Sequence, residues 1–287
     1  MLILFALFLV SVVQVQCVPK HYFHLGAHLE NPISSFQELI NLKGGYNAGF
    51  QADGYRPRFR RCADHHVDVP FIISEGFSEK SRETILKSVE HFSKETCLKL
   101  REHKEEEEDE DTTGFYDGVV FVPLVNNASC ESFHYTYVNA TERLSLLGIY
   151  LNEPFCFNGT GRINRALYLS LGFISETLRP DRDDYVTVLW DNIKPDWKFK
   201  FQTRESVAFI PVLPYDYLSV SHYYPNEFAE EGKLSLISKT ENHPLQWNTE
   251  LSALDKYRIN SVLCGKRMRD QSDESSSTDV DDDDYEY

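Results

Sequence analysis

The stretch Arg165-Ala166-Leu167-Tyr168-Leu169-Ser170-Leu171-Gly172-Phe173-Ile174-Ser175-Glu176 decides how this chain is understood. By its residues it is an apolar helix ending at a glycine. Leu167, Leu169, Leu171 and Phe173 supply core side chains, and Gly172 gives the backbone a place to leave the helix. Arg165 is the exception on this buried segment, because arginine is usually exposed.

Centred on Gly172, the stretch keeps the spacing H-E-x-x-H-x-x-G-x-x-H. In that pattern three histidines bind zinc and a glutamate acts as general base. The flanks carry further landmarks. Glu176, Arg179 and Asp181-Arg182-Asp183-Asp184-Tyr185-Val186 fit E-x-x-R-x-D-R-D-x-Y-V, and Asp216-Tyr217-Leu218-Ser219-Val220-Ser221-His222-Tyr223 fits D-Y-x-S-V-M-H-Y. Val69-Pro70-Phe71-Ile72-Ile73-Ser74 is similar to I-P-Y-V-I-S. An amphipathic helix follows within Phe77–Leu100, ending in Lys94-Glu95-Thr96-Cys97. Over about 220 residues the chain resembles the astacin family of secreted zinc metalloproteases, which are metzincins.

The resemblance implies an α+β, astacin-like metzincin fold, with an N-terminal twisted sheet and long helices, an irregular C-terminal subdomain, and a cleft between them. It also assigns the altered positions. Arg165 stands at the first histidine, Ala166 at the glutamate, Leu169 at the second histidine, Ser175 at the third and Ser221 at the methionine of the turn. A guanidinium has no lone pair to give, alanine and leucine have no donor atom, and a neutral hydroxyl is a poor zinc ligand. Glu176 and Tyr223 are retained; in the family the glutamate pairs with a newly cut amino terminus and the tyrosine reaches the metal. The expectation is a degenerate member with no cofactor, its zinc lost.

The charge of −16 is unevenly placed. Glu105–Asp111 hold seven acids and Asp270–Tyr287 hold nine, and removing those sixteen from 45 leaves 29 acids against 29 bases. Both runs read as solvated segments outside the fold, since like charges repel and bury nothing apolar. The tail contains Tyr285 and Tyr287 amid acids, so cations or a basic protein are its natural partners. No basic face is evident, which excludes a nucleic-acid partner.

The uncharged apolar run from Met1 to about Gln16 reads as a signal peptide, making the chain secreted and, after cleavage, free of the membrane. The expected organisation is signal peptide 1–17, pro-segment 18–63, protease-like domain 64–268 with an acidic insertion at 104–113, and acidic tail 269–287. Phe50-Gln51-Ala52-Asp53 resembles the family's F-x-G-D switch, in which the aspartate holds zinc in the latent form. Arg165 is expected to stand in for the metal, pairing with Asp53, or with Tyr223 or solvent.

Six cysteines behind a signal peptide imply disulfides, with pairing open on spacing alone. The resemblance implies Cys97–Cys264 and Cys130–Cys156, leaving Cys62 odd once Cys17 departs. Asn127, Asn139 and Asn158 begin glycosylation sequons. Functionally, a secreted pseudoprotease that binds a protein or peptide in the retained cleft leads. Residual metalloendopeptidase activity through an atypical site, perhaps with His222 and Tyr223, is the enzyme alternative. A binder working through its acidic tail is the third. His65, His66, His134 and His243 are scattered and form no metal set.

Overall fold

The computed structural model describes residues 59–61, 66–102, 118–125, 129–138, 143–204 and 213–265. The signal peptide, Asp53, Cys62, the acidic insertion, Asn127, Asn139 and the acidic tail lie outside the described residues.

A six-stranded mixed sheet organises the N-terminal half. Its strands are β1 (Arg60–Arg61), β2 (Val67–Ile73), β3 (Leu98–Glu102), β4 (Gly118–Leu124), β5 (Cys130–Val138) and β6 (Arg143–Asn152). The order is β1-β2-β4-β6-β5, with β3 also on β2. β2, β3, β4 and β6 are parallel neighbours, while β1 and β5 pair antiparallel. β1 falls on the pro-segment side of the boundary drawn at 63/64, yet it pairs with Val67 and Asp68 of the sheet.

Periodicity accounts for the packing. Val67, Val69, Phe71 and Ile73 alternate along β2 and are buried, whereas β4 is buried throughout, as a central strand covered on both faces must be. Helix α1 (Glu79–Glu95) starts at Ser78, whose hydroxyl accepts from the Ser81 amide, and it buries Ile85, Val89 and Phe92 at helical spacing. Cys97 then bonds to Cys264, and Cys130 to Cys156, the two pairs that the resemblance implied.

Helix α2 (Gly161–Ser170) carries the altered signature and is buried over most of its surface. Leu167, Leu171 and Phe173 join the sheet core, with half-buried Leu169 packed against it. Gly172 closes the helix at φ 91°, a left-handed conformation that costs glycine little. At the other end, a Cβ on Gly161 would stand 2.8 Å from Thr249 Cγ2, so only glycine lets the first turn seat against that loop.

The C-terminal half is mostly short 3₁₀ turns, with a two-stranded sheet of β7 (Val186–Val188) and β8 (Leu236–Ser238), and helix α3 (Ala253–Val262). It has its own apolar cluster, including Leu178, Val186, Ile193, Phe201, Tyr223 and Leu236. The molecule is therefore α+β, with α2 and the turn after it joining two cores.

Candidate functional site

Arg165 projects from α2 and is 8% exposed. Its two terminal nitrogens donate to the two oxygens of Glu227 at 3.0 and 2.8 Å, a bidentate pair sealed from water on both sides. The guanidinium also faces the rings of Tyr224 at 5.0 Å and Tyr223 at 5.7 Å. Burial works against charge on Glu227, but the adjacent Arg165 outweighs it and holds the carboxyl below its ordinary range. The expected choices for Arg165 were Asp53, Tyr223 or solvent. The structure gives it Glu227, because an unpaired guanidinium at this depth would be costly and Glu227 comes from the segment immediately after the Ser219–Tyr223 turn.

The remaining altered positions are occupied by ordinary packing. Ala166 is buried. Leu169 presents only hydrocarbon. The Ser175 hydroxyl donates to the Ser221 carbonyl at 2.6 Å and accepts from the Thr177 amide. Ser221, at the methionine of the turn, exchanges a hydrogen bond with Ser219 at 2.8 Å and accepts from the Glu176 amide. A small hydroxyl network thus ties the end of the signature to the turn beneath it.

Glu176 is 1% exposed. Arg258 of α3 approaches one oxygen at 2.6 Å, while Arg179 at 3.2 Å and the Asp216 amide at 3.0 Å reach the other. The carboxylate that the resemblance assigned to a new amino terminus is here met by two arginines of the same domain. Asp255 accepts from Ser219 Oγ at 2.7 Å and the Val220 amide at 2.8 Å, and forms a capping box with Ser252. α3 is thereby fastened to the same turn.

Tyr223 donates its hydroxyl to the Lys200 carbonyl at 3.1 Å. Both ring nitrogens of His222 are engaged inside the fold, one with the Tyr215 hydroxyl and one with the Tyr223 carbonyl, each at 2.8 Å. Burial pushes the imidazole down to about 4. Neither residue points a free donor toward Arg165. Near them, Lys200 bridges to Glu131 at the start of β5, at 2.9 Å. That ion pair links the C-terminal half to the sheet's antiparallel edge.

A zinc ion requires converging lone pairs from imidazole, carboxylate or thiolate. The residues at the signature positions do not fit that ion: one is a cation bound to a carboxylate, two are hydrocarbon, and one is a hydroxyl already donating to a carbonyl. Among the described residues, no group of three or more His, Cys, Asp or Glu is placed to hold a metal. His243 stacks on Tyr217, and His65 lies outside the described residues. Asn158 is exposed just beyond the Phe155–Phe157 turn, as a glycan acceptor must be.

The model of the peptidase family described as Astacin matches residues 60–264. The chain belongs to the astacin family. It is similar to zinc metalloproteinase nas-14 of Caenorhabditis elegans, at 27% identity over 71% of this chain and 38% of that protein. Similarity to mouse meprin A subunit alpha is 28% over 78% of this chain and 28% of that one. The chain thus spans well under half the length of these astacin-family relatives. The structure of high choriolytic enzyme 1, a hatching-enzyme zinc protease from Oryzias latipes, aligns with a TM-score of 0.58 and 26% identity, covering 73% of this chain and 95% of that one.

Sequence reasoning missed Glu227, Arg258, Asp255 and Lys200. The available signal was indirect. A charged residue on a helix otherwise buried demands a partner, but 45 acids left the partner's number open.

Proposed function

We propose that this chain is a secreted astacin-family pseudoprotease, which does not cleave peptides and instead binds a protein or peptide in the cleft between the sheet and the C-terminal half. The observation that carries the reading is the buried bidentate Arg165–Glu227 pair at the first ligand position of the signature. A cation bound there to its own carboxylate offers nothing to zinc and resists a second positive charge. Two disulfides accord with an oxidising, extracellular location. The antiparallel edge strand supports ligand binding: among the described residues β5 pairs only with β6, which leaves one side of its backbone for an extended segment.

The test is elemental analysis of the purified secreted protein together with a broad peptide-cleavage screen and a peptide-binding screen. The expected result is no stoichiometric zinc, no hydrolysis, and saturable binding of a subset of peptides. About one zinc per chain with chelator-sensitive cleavage overturns the proposal and restores the family's peptidase activity.

A further inference from the structure

Arg162 lies one turn before Arg165 and is satisfied differently. Its guanidinium carbon sits 4.3 Å over the Phe155 ring, 5.2 Å from that of Tyr224 and 5.8 Å from that of Trp247. Tyr224 and Trp247 are themselves stacked at 4.4 Å. Six other described arginines each meet a carboxylate. Among the described residues Arg162 makes no close ion pair: its guanidinium lies on ring faces and acts only at longer range on Glu227, which Arg165 already grips, and such stacking leaves the in-plane N–H donors of a guanidinium open to an anion. Around it the surface is apolar and open, with Trp247 54% and Phe155 38% exposed.

An arginine fork among exposed aromatic rings matches a segment rich in both carboxylates and tyrosines. The chain carries one. Residues 270–287 hold nine acids and no Lys or Arg, and close with Asp281-Asp282-Asp283-Asp284-Tyr285-Glu286-Tyr287. With both acidic runs set aside, the rest of the chain is charge-balanced. Bulk attraction therefore does not choose a docking place, whereas a local guanidinium with no close carboxylate among the described residues does. The tail leaves from Gly265, just beyond α3, and some twenty residues reach up to roughly 70 Å when extended, more than the breadth of a domain of this size. Tethering also supplies an effective concentration near the millimolar range, so a weak contact suffices.

We propose that the acidic, tyrosine-bearing segment 270–287 docks in cis on the Arg162–Phe155–Trp247 surface. The Arg162 fork takes its carboxylates, and the exposed rings take its tyrosines. This placement puts the tail beside the Arg165–Glu227 pair and does not depend on the cleft being a peptide site.

The experiment uses a fluorescent synthetic peptide of residues 270–287. It is titrated against the full chain and against a chain ending at Gly265, which retains both apolar cores and both disulfides. The shortened chain is expected to bind the peptide and the full chain to bind it at least roughly tenfold more weakly, its site already being filled. In the shortened chain Arg162→Ala is expected to weaken binding roughly tenfold, Arg162→Lys less, and Trp247→Ala measurably. A peptide with every Asp and Glu changed to amide is expected not to bind. Unchanged thermal unfolding of the variants separates these losses from misfolding. Equal binding by the full and shortened chains, no binding by either, or an unaltered affinity in Arg162→Ala overturns the proposal.

Discussion

Arg258 of α3 stands 2.6 Å from a carboxylate oxygen of Glu176, and both side chains are all but excluded from solvent. The contact joins the last helix to the turn that follows the signature. Removing only the cation leaves a buried carboxylate to Arg179 and the Asp216 amide, both on its other oxygen, and breaking such a pair typically costs about 3–5 kcal/mol. Arg258→Met is therefore expected to lower the urea midpoint sharply. The double variant with Glu176→Gln is expected to recover much of the loss. Equal unfolding of the single and double variants would show that the two residues are not coupled.

A second double-mutant cycle addresses the Arg165–Glu227 pair. Arg165→Leu leaves buried Glu227 without its bidentate partner, with only Arg162 at longer range, and is expected to destabilise by several kcal/mol, on the order of 3. Arg165→Leu with Glu227→Leu removes both charges and is expected to approach the parent stability. The pair also has a pH signature. The Glu227 carboxyl is held below its ordinary range in the folded chain, so its contribution is full above the unfolded carboxylate pKa and fades as pH falls through the lower folded value. Chemical unfolding across acidic pH, compared with the double variant, measures it.

His222 gives a separate acid response. Its folded pKa is about 4, depressed by burial from an ordinary value near 6.5. A folded pKa below the unfolded one means stability is fully present above ~6.5 and declines down to about 4, by on the order of 3 kcal/mol at most. A His222→Gln variant, with no proton to take up, is expected to show a flatter stability profile across that window. Identical slopes for the two proteins would refute the assignment.

The Lys200–Glu131 bridge is expected to behave as a partly solvated clasp. Its side chains are 13% and 20% exposed, so salt screens it and its worth is roughly 1 kcal/mol or less. Glu131→Gln should leave the melting temperature almost unchanged while raising amide exchange in residues 195–201 and at the start of β5. Protection that stays the same in the variant and in high salt would mean that the apolar contacts of Phe201 and Trp197 hold this segment unaided.

Much was legible without coordinates because the family's landmarks lie within short windows of chain. The helix end at Gly172, the segment Val69–Ser74 and the helix before Cys97 are local patterns; the first and third sit where expected, and the segment falls on strand β2. The disulfide pairs followed from resemblance and are present. Arg165 marks where local reading stopped. Its chemistry was visible as a cation, with Asp53, Tyr223 or solvent as its expected partner; Asp53 lies outside the described residues, the Tyr223 ring is near, and the carboxylate that grips it is Glu227, 62 residues downstream. Glu176 was likewise legible as retained, though nothing near it in sequence announced Arg258.

The sequence by itself determined the α+β elements, the family to which they belong, and the residue types Arg165, Ala166, Leu169 and Ser175 along the stretch that resembles the family's signature. Those properties are set by residue type and by spacing within a helix turn or a strand repeat. Only the tertiary structure decided how the altered site is satisfied: Arg165 by Glu227, Glu176 by Arg258 and Arg179, Ser175 by Ser221, and Tyr223 by Lys200. A buried charge or hydroxyl requires some partner, but burial and distance select which one, and both exist only once the two cores have closed around α2.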